Sequence, residues 1–402
     1  MRDLSVLYDA DRLKSLPRMF VLAYVASLIA LFALTPGMID SADFVAFWSA
    51  GVLTLGGNPA GAFDAKAIAA AQQLAVPGLE KLFLWHYPPT FQLVTMPLAL
   101  LPYLTSYLVF VAGSLVLFVA ALRPLVPHRD GWIILLALPG TFICVMHGQN
   151  SLVSAALLGT AIMTIDRRPV VAGICIGLLA YKPQLGVLFP LVLALTGRWR
   201  VIGAAAATTA VFVALSVLAF GLDLWGVFFR NLSVAREVTE AGLLPWGKMP
   251  SAFVFLRMLG VPQGAAYAGQ AIVAIAAAAA VALVWWRCGA TLLAGATLVT
   301  GTMLLTPYTF DYEMAILAVP LAVIARHLVR HGASGGEKLM LLVLAVSPLA
   351  VGTPVDKIGF QVGFIVLLAL FAWTARLALA ARGLGFMNIP AGSAALNLGA
   401  SG

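Results

Sequence analysis

Apolar segments recur along nearly the whole chain, at roughly 20–36, 104–122, 131–146, 151–165, 169–181, 184–196, 201–221, 266–286, 289–305, 313–329, 338–351 and 358–381. A helix needs about 20 apolar residues to cross a bilayer, and in lipid every backbone polar group must find its partner within the protein. The pattern therefore predicts an all-α, polytopic membrane protein. Composition agrees. Of the residues 62% are hydrophobic and 10% charged, with a mean hydropathy of +1.00, where a soluble domain has about a quarter of its residues charged. This excludes a cytosolic enzyme, a secreted disulfide scaffold and a disordered interaction protein. The net charge of +8 does not imply a nucleic-acid partner, because the basic residues come in ones and twos between apolar runs and form no basic patch. Cys144, Cys175 and Cys288 show no metal-ligand spacing, so neither zinc nor a structural disulfide is expected. The charged lead runs to Arg18 with no small-residue cleavage site after the first apolar run, unlike a cleaved signal peptide.

The basic residues orient the bundle. With a cytoplasmic N-terminus and every segment crossing, Lys66, Lys81, Lys182, Arg230, Arg236, Lys248, Arg257 and Lys357 fall outside, leaving 16 of the 24 Lys and Arg on the cytoplasmic side. That is the asymmetry expected of an inside-positive protein. The resulting organisation has a cytoplasmic segment at 1–19, a membrane domain at 20–381 and a flexible cytoplasmic tail at 382–402. About twelve transmembrane or re-entrant helices are expected, with outer loops at 37–90 and 222–262 and amphipathic helices on the outer face. Several runs are short. Those on either side of Tyr181-Lys182-Pro183-Gln184 and of His147-Gly148-Gln149-Asn150 cannot span as helices rising 1.5 Å per residue. Their tips should lie below the outer surface, where irregular polar backbone is tolerated only inside protein or beside a wet cavity.

The candidate residues cluster in these places. Asp40 or Ser41 could cap a helix on which Phe44, Phe47, Trp48 and Gly51 share one face, a pattern expected of a helix lying on the membrane. Asp43 then sits in the first turn, either as a capping residue or as a general base for a hydroxyl. His86 and Tyr87, before the paired Pro88-Pro89, could hold a sugar or belong to an interfacial aromatic belt. Lys182 is an ammonium between two short apolar runs, expensive there without an anion, and Pro183 should start a helix whose N-terminus faces the same spot. A lipid phosphate would suit both; snorkelling is the alternative. His147, Gln149 and Asn150 could bind sugar hydroxyls or satisfy backbone groups. Asp311 and Glu313 could be acid/base partners or helix caps. Arg230, Arg236 and Lys248 in the second outer loop could meet phosphate or line a solvated face. There is no GxGxxG, Walker A, HExxH or GxSxG motif, so any donor must arrive through the membrane or from outside.

Several stretches come in a fixed order: D-F-x-x-F-W-S-A-G from Asp43, Y-P-P-T-F from Tyr87, P-L-A-L-L-P from Pro97, G-Q-N-S-L from Gly148, A-G-x-x-x-G-L-L-A-Y-K-P-Q from Ala172, and R-W-R from Arg198. Over roughly 40–320 the chain thus resembles glycosyltransferase family 87, the polyprenyl-phosphate-mannose-dependent mannosyltransferase-like proteins of the GT-C superfamily. The resemblance implies a GT-C fold with its site on the outer face of the plasma (inner) membrane. It also implies a polyprenyl-phosphate sugar as donor, mannose above all, and inverting transfer to a lipid or glycan acceptor. It maps the catalytic aspartate onto Asp43 and the Lys-Pro-Gln element onto Lys182, Pro183 and Gln184. Family members often carry a histidine in the late outer turn near Pro307, where this chain has Asp311 and Tyr312.

The expected chemistry is deprotonation of the acceptor hydroxyl by Asp43 and neutralisation of the leaving phosphate by Lys182 with Arg230 or Arg236. His86, Tyr87, His147, Gln149, Asn150, Gln184, Asp311 and Tyr312 are then the candidates for sugar and acceptor. No metal or other cofactor is expected, and membrane lipids are the remaining partner. The rival readings are a transporter or flippase of a lipid-linked sugar, for which no inverted repeat is found, and a non-catalytic assembly protein.

Overall fold

The computed structural model describes residues 10–34, 43–352, 355 and 358–383. None of the described residues lies in a strand. The chain opens with α1 (Ala10–Leu34) and α2 (Phe44–Leu55), then α3 (Ala65–Ala75), α4 (Pro89–Thr95) and α5 (Tyr103–Leu122). Short helices follow: α6 (Gly131–Ala137), α7 (Pro139–His147), α8 (Ser151–Thr164), α9 (Pro169–Leu178) and α10 (Phe189–Leu195). The second half holds α11 (Trp199–Phe220), α12 (Asp223–Glu240), α13 (Ala252–Met258), α14 (Gln263–Cys288) and α15 (Leu292–Met303). It closes with α16 (Ala318–His331), α17 (Gly335–Val346) and α18 (Val362–Gly383).

Five helical segments are long and apolar enough to cross a membrane: Tyr103–Leu125, Trp199–Phe220, Gln263–Cys288, Asp311–His331 and Val362–Arg382. The protein is therefore embedded in a membrane. Leu108, Val116, Leu215, Leu218, Ile272 and Ile275 stand exposed on α5, α11 and α14, the apolar belt that a lipid-facing surface requires. The twelve segments counted from hydropathy are thus not twelve long helices. Leu138 is extended and Pro139 opens a new helix, so the run at 131–146 is divided into α6 and α7. The run at 289–305 becomes α15, whose residues from Leu293 to Met303 are all buried. A short apolar helix enclosed by protein and one enclosed by lipid look alike in composition.

Small residues let these short helices approach the long ones. A β-carbon at Gly177 of α9 would come 2.6 Å from the Ala205 carbonyl oxygen of α11. One at Gly140 of α7 would come 2.5 Å from the carbonyl of Met314. The basic loop ends gather at one end of the bundle. Arg326 donates to the Pro124 carbonyl at 2.7 Å, Arg198 pairs with Asp166 at 2.9 Å, and Arg198 stands 5.9 Å from the Trp285 ring. Arg287 and Arg382 both face Cys288. These are residues that the charge count groups on one side of the membrane.

The helix α2 is not the surface helix expected from its aromatic spacing. Phe44, Val45, Phe47 and Ala50 are all buried, and Trp48, half-buried, donates from Nε1 to the Leu101 carbonyl at 2.9 Å. Its second face carries Val45, Ala46 and Ala50 with Ser49 as a small polar residue among them, and all four are buried. The helix nests among α3, α4 and α5 with a cluster of aromatic rings: Phe44 against Tyr107, Phe47 against Trp85, Tyr87 and Phe91, and Phe91 against Tyr181. Trp85 and Tyr87 belong to this packed cluster, with Trp85 wholly buried, and do not form an exposed interfacial belt. Asp40 and Ser41 lie outside the described residues.

Candidate active site

Four chain segments converge where the aromatic cluster ends. The first is the start of α2. Asp43 occupies its N-cap position with helical backbone angles, but its carboxylate makes no capping bond. It accepts instead from Gln149 Nε2 at 3.2 Å. A carboxylate placed at a helix start and unused by that helix is available for chemistry, so the capping explanation does not account for it.

The second segment is the turn between α7 and α8. Gly148 ends α7 with φ +60, a left-handed conformation that glycine takes at no steric cost. A β-carbon there would also come 2.6 Å from Phe44 Cβ and 2.8 Å from the Tyr107 ring. This turn delivers His147, Gln149 and Asn150 together. His147 Nδ1 lies 2.9 Å from the Ile143 carbonyl oxygen. A carbonyl can only accept, so Nδ1 carries a proton and donates to it, which leaves Nε2 to meet another partner. That atom is 3.0 Å from Lys248 Nζ.

The third segment is the hairpin between α9 and α10, where Leu179–Tyr181 and Pro183–Leu185 form 3-10 turns around Lys182. Lys182 is 5% exposed, so it does not snorkel. Its Nζ lies 2.8 Å from Glu313 Oε1 and 3.2 Å from Asn150 Oδ1, with the Tyr312 ring 5.4 Å away. Pro183 starts only a three-residue turn, and α10 begins at Phe189. The helix N-terminus expected beside Lys182 is therefore absent: Lys182 meets its anion in a side chain.

The fourth segment is the turn before α16. Glu313 caps that helical start by accepting from the Phe310 N–H at 3.0 Å while its other oxygen holds Lys182. Asp311 Oδ1 accepts from the Tyr312 N–H at 2.8 Å and is buried. The choice between acid/base pair and caps is thus too narrow, because Glu313 is a cap and an ion-pair partner at once. The Tyr312 ring also stands 5.8 Å from that of His147.

The extended stretch before α4 closes the site. Gln72 of α3 clamps the backbone of Phe83 through bonds of 2.6 and 3.2 Å, and Asn231 of α12 donates to the Trp85 carbonyl at 3.1 Å. Tyr87 donates its hydroxyl to Gln149 Oε1 at 3.1 Å. His86 is half-buried with Nδ1 enclosed and unpartnered, and burial pushes its imidazole down to about 4. The fold therefore requires the neutral ring, whereas the unfolded chain protonates near 6.5. Stability contributed by this residue is complete above about pH 6.5 and is lost as pH falls toward 4. Thermal unfolding in detergent between those pH values should show a loss for the wild type that is smaller in His86→Leu; equal losses would contradict the assignment.

The structure thus unites Asp43, Tyr87, His147, Gln149, Asn150, Lys182, Asp311 and Tyr312. It adds Glu313 and Lys248 to that set. Gln184 lines an open surface depression of about 390 Å³ with Val187, Ala274, Ile275, Ala278, Leu305 and Thr306. Arg230 and Arg236 are exposed on α12, and Arg236 pairs there with Glu240 at 3.4 Å. Neither bonds to the cluster among the described residues. Among the same residues, no three His, Cys, Asp or Glu side chains converge as a metal-ligating group.

The model of glycosyltransferase family 87 matches residues 85–307, more than half of the chain, and the chain belongs to that family. It is accordingly a membrane glycosyltransferase with a sugar donor and an acceptor. No curated protein and no solved structure matches it. The matched stretch holds Tyr87, His147 to Asn150, Lys182 and Lys248. Asp43 and Glu313 lie outside it and are brought to it by the fold.

Proposed function

We propose that the protein transfers a hexose, mannose above all, from a polyprenyl-phosphate sugar to a lipid or glycan acceptor at the outer face of the plasma membrane. The observation that carries this reading is the Asp43 carboxylate, free of its own helix and held by Gln149 beside Tyr87, Asp311 and Tyr312. Asp43 takes the proton from the acceptor hydroxyl. The acceptor oxygen attacks the anomeric carbon from the face opposite the phosphate, the glycosidic C–O bond to phosphate breaks, and configuration inverts. The phosphate carries away the electron pair, so a base and a cation suffice.

The two ammonium groups differ in what they offer that phosphate. Lys182 already faces Glu313 at 2.8 Å, so its charge is matched. Lys248 Nζ has the His147 ring as its hydrogen-bond partner at 3.0 Å, and no described carboxylate oxygen lies within 4.0 Å of it. Lys248, which makes no direct ion pair among the described residues and has Asp311 in its electrostatic surroundings, supplies positive charge for the leaving group, and Lys182 with Glu313 forms a neutral floor. The apolar depression beside Gln184, against the lipid-facing α14, suits a polyprenyl chain. The gathering of Arg198, Arg287 and Arg326 at the far end of the bundle supports a cytoplasmic position for that end.

Charge-assisted contacts are worth about 1.5–3 kcal/mol, or about tenfold to over a hundredfold in an equilibrium constant. Lys248→Met should raise the KM for polyprenyl-phosphate mannose by that range in the purified protein, with acceptor KM little changed. A variant that keeps its donor KM but loses acceptor affinity would move Lys248 to the other half of the site.

A further inference from the structure

The Asp43 carboxylate is held by a single described side chain, and the geometry points to Gln149 as a positioning residue that aims this carboxylate, not as a contact for the sugar. The inference rests on the reading of Asp43 as the base. Gln149 is 6% exposed, and its side-chain amide is engaged on both sides. Oε1 accepts from the Tyr87 hydroxyl at 3.1 Å and from the backbone N–H of Asn150 at 3.3 Å. A backbone N–H can only donate, so the carbonyl end of the amide must face Asn150 and the amino end must face Asp43. There Nε2 donates to Oδ2 at 3.2 Å. The backbone carbonyl of the same residue takes the Cys144 thiol at 3.1 Å, which fixes the turn as well as the side chain.

A carboxylate that does not cap its own helix is free to turn about its side-chain bonds. One fixed donor on Oδ2 sets its plane. No described donor reaches Oδ1, so that oxygen is left for the acceptor hydroxyl. Gln149 is itself anchored from two elements, the extended stretch at Tyr87 and the start of α8 at Asn150. Asn150 in turn accepts from Lys182, so the buried Lys182–Glu313 pair supports the aim of the base through one intervening residue. The arrangement requires an amide. Leucine supplies no donor, and glutamate puts a second carboxylate against the first.

The titratable groups facing Asp43 come from several elements. Tyr87 lies on the extended stretch, and Asp311, Tyr312 and Glu313 on the turn before α16. His147 ends α7 with Lys248 on its ring, and Tyr103 and Tyr107 of α5 pack on Phe44. Of the helices against α2, α4 carries no titratable residue and Lys66 of α3 is exposed. Gln149→Glu alters none of these groups and adds one acid beside the base.

The test compares the wild type, Gln149→Leu and Gln149→Glu as purified full-length proteins. The donor probe is polyprenyl-phosphate mannose and the acceptor a total membrane-lipid extract, assayed from about pH 5 to about pH 9. Gln149→Leu should lower kcat about tenfold to a hundredfold, the scale of a misaimed reacting group, with both KM values nearly unchanged. Gln149→Glu should move the acid limb of the kcat profile upward by about one unit, because two adjacent carboxylates share protons as a pair. A raised KM with kcat preserved would overturn the inference and return Gln149 to sugar binding. An unshifted acid limb in Gln149→Glu would also overturn it. Asp43→Asn, run alongside, separates the two claims: activity retained there would mean that the base assignment is at fault, whereas activity lost there with normal Gln149 variants would refute positioning alone.

Discussion

Asp43→Asn will lower transfer by about a hundredfold to ten-thousandfold, the usual contribution of a general base, without unfolding the protein. The substitution is nearly isosteric. The wild-type carboxylate makes no capping bond to α2, so no helix start is undone, and Gln149 can still donate to the carbonyl oxygen of the amide that replaces the carboxylate. What disappears is the ability to accept a proton from the acceptor. The check is kcat under saturating donor and acceptor, with thermal unfolding measured on the same preparation. A variant that keeps most of its rate would remove Asp43 from the base role. One that loses its rate together with its fold would mean that the carboxylate is structural.

The second large effect is on stability. Lys182 and Glu313 are 5% and 3% exposed and face each other at 2.8 Å. Removing one member of a buried pair leaves an uncompensated charge and costs about 3–5 kcal/mol, whereas replacing both members with apolar groups of similar volume is often neutral or stabilising. Lys182→Met alone and Glu313→Leu alone should each destabilise by that amount, and the double variant should recover most of the loss. A double-mutant cycle by thermal or denaturant unfolding in detergent measures the coupling. Additive losses in the double variant would show that the two side chains act independently.

The depth of Lys182 is legible in the sequence because a charge flanked by two short apolar runs has nowhere wet to go. Its partner is not. Glu313 is far along the chain and reads as an ordinary helix cap, which it also is. Lys248 likewise reads only as one of several basic residues in a polar loop, and nothing local ties it to His147, 101 positions earlier. The G-Q-N-S-L turn stands out by its polarity between apolar runs, but polarity alone does not distinguish a sugar ligand from an amide that aims a carboxylate. Residues met in separate segments become a site only when the chain's long-range packing is known.

The departures of the fold from expectation have a single origin. Apolar content reports withdrawal from water, not what replaces it. The helix α2 has aromatics at surface-helix spacing, yet the alanine and valine between them fit its first two turns for burial. Of the short runs, α15 is buried along nearly its whole length, whereas α9 and α10 bury one face and expose Val170, Ile174, Leu191 and Leu195 on the other. Among the described residues, five helical segments combine the length and the apolar content needed to meet lipid across the whole bilayer. The basic residues at loop ends are easier to read, because charge is excluded from lipid and from an apolar protein interior alike.

The central claim is that the protein breaks the sugar–phosphate bond of its donor. Purified wild type and Asp43→Asn, each reconstituted in sealed vesicles with polyprenyl-phosphate mannose labelled in the sugar and a membrane-lipid acceptor extract, test it directly. The wild type should release polyprenyl phosphate in step with labelled product of inverted anomeric configuration, and Asp43→Asn should release almost none. Labelled donor that crosses the bilayer intact, at the same rate in both proteins and with no polyprenyl phosphate formed, would contradict the account and identify a flippase.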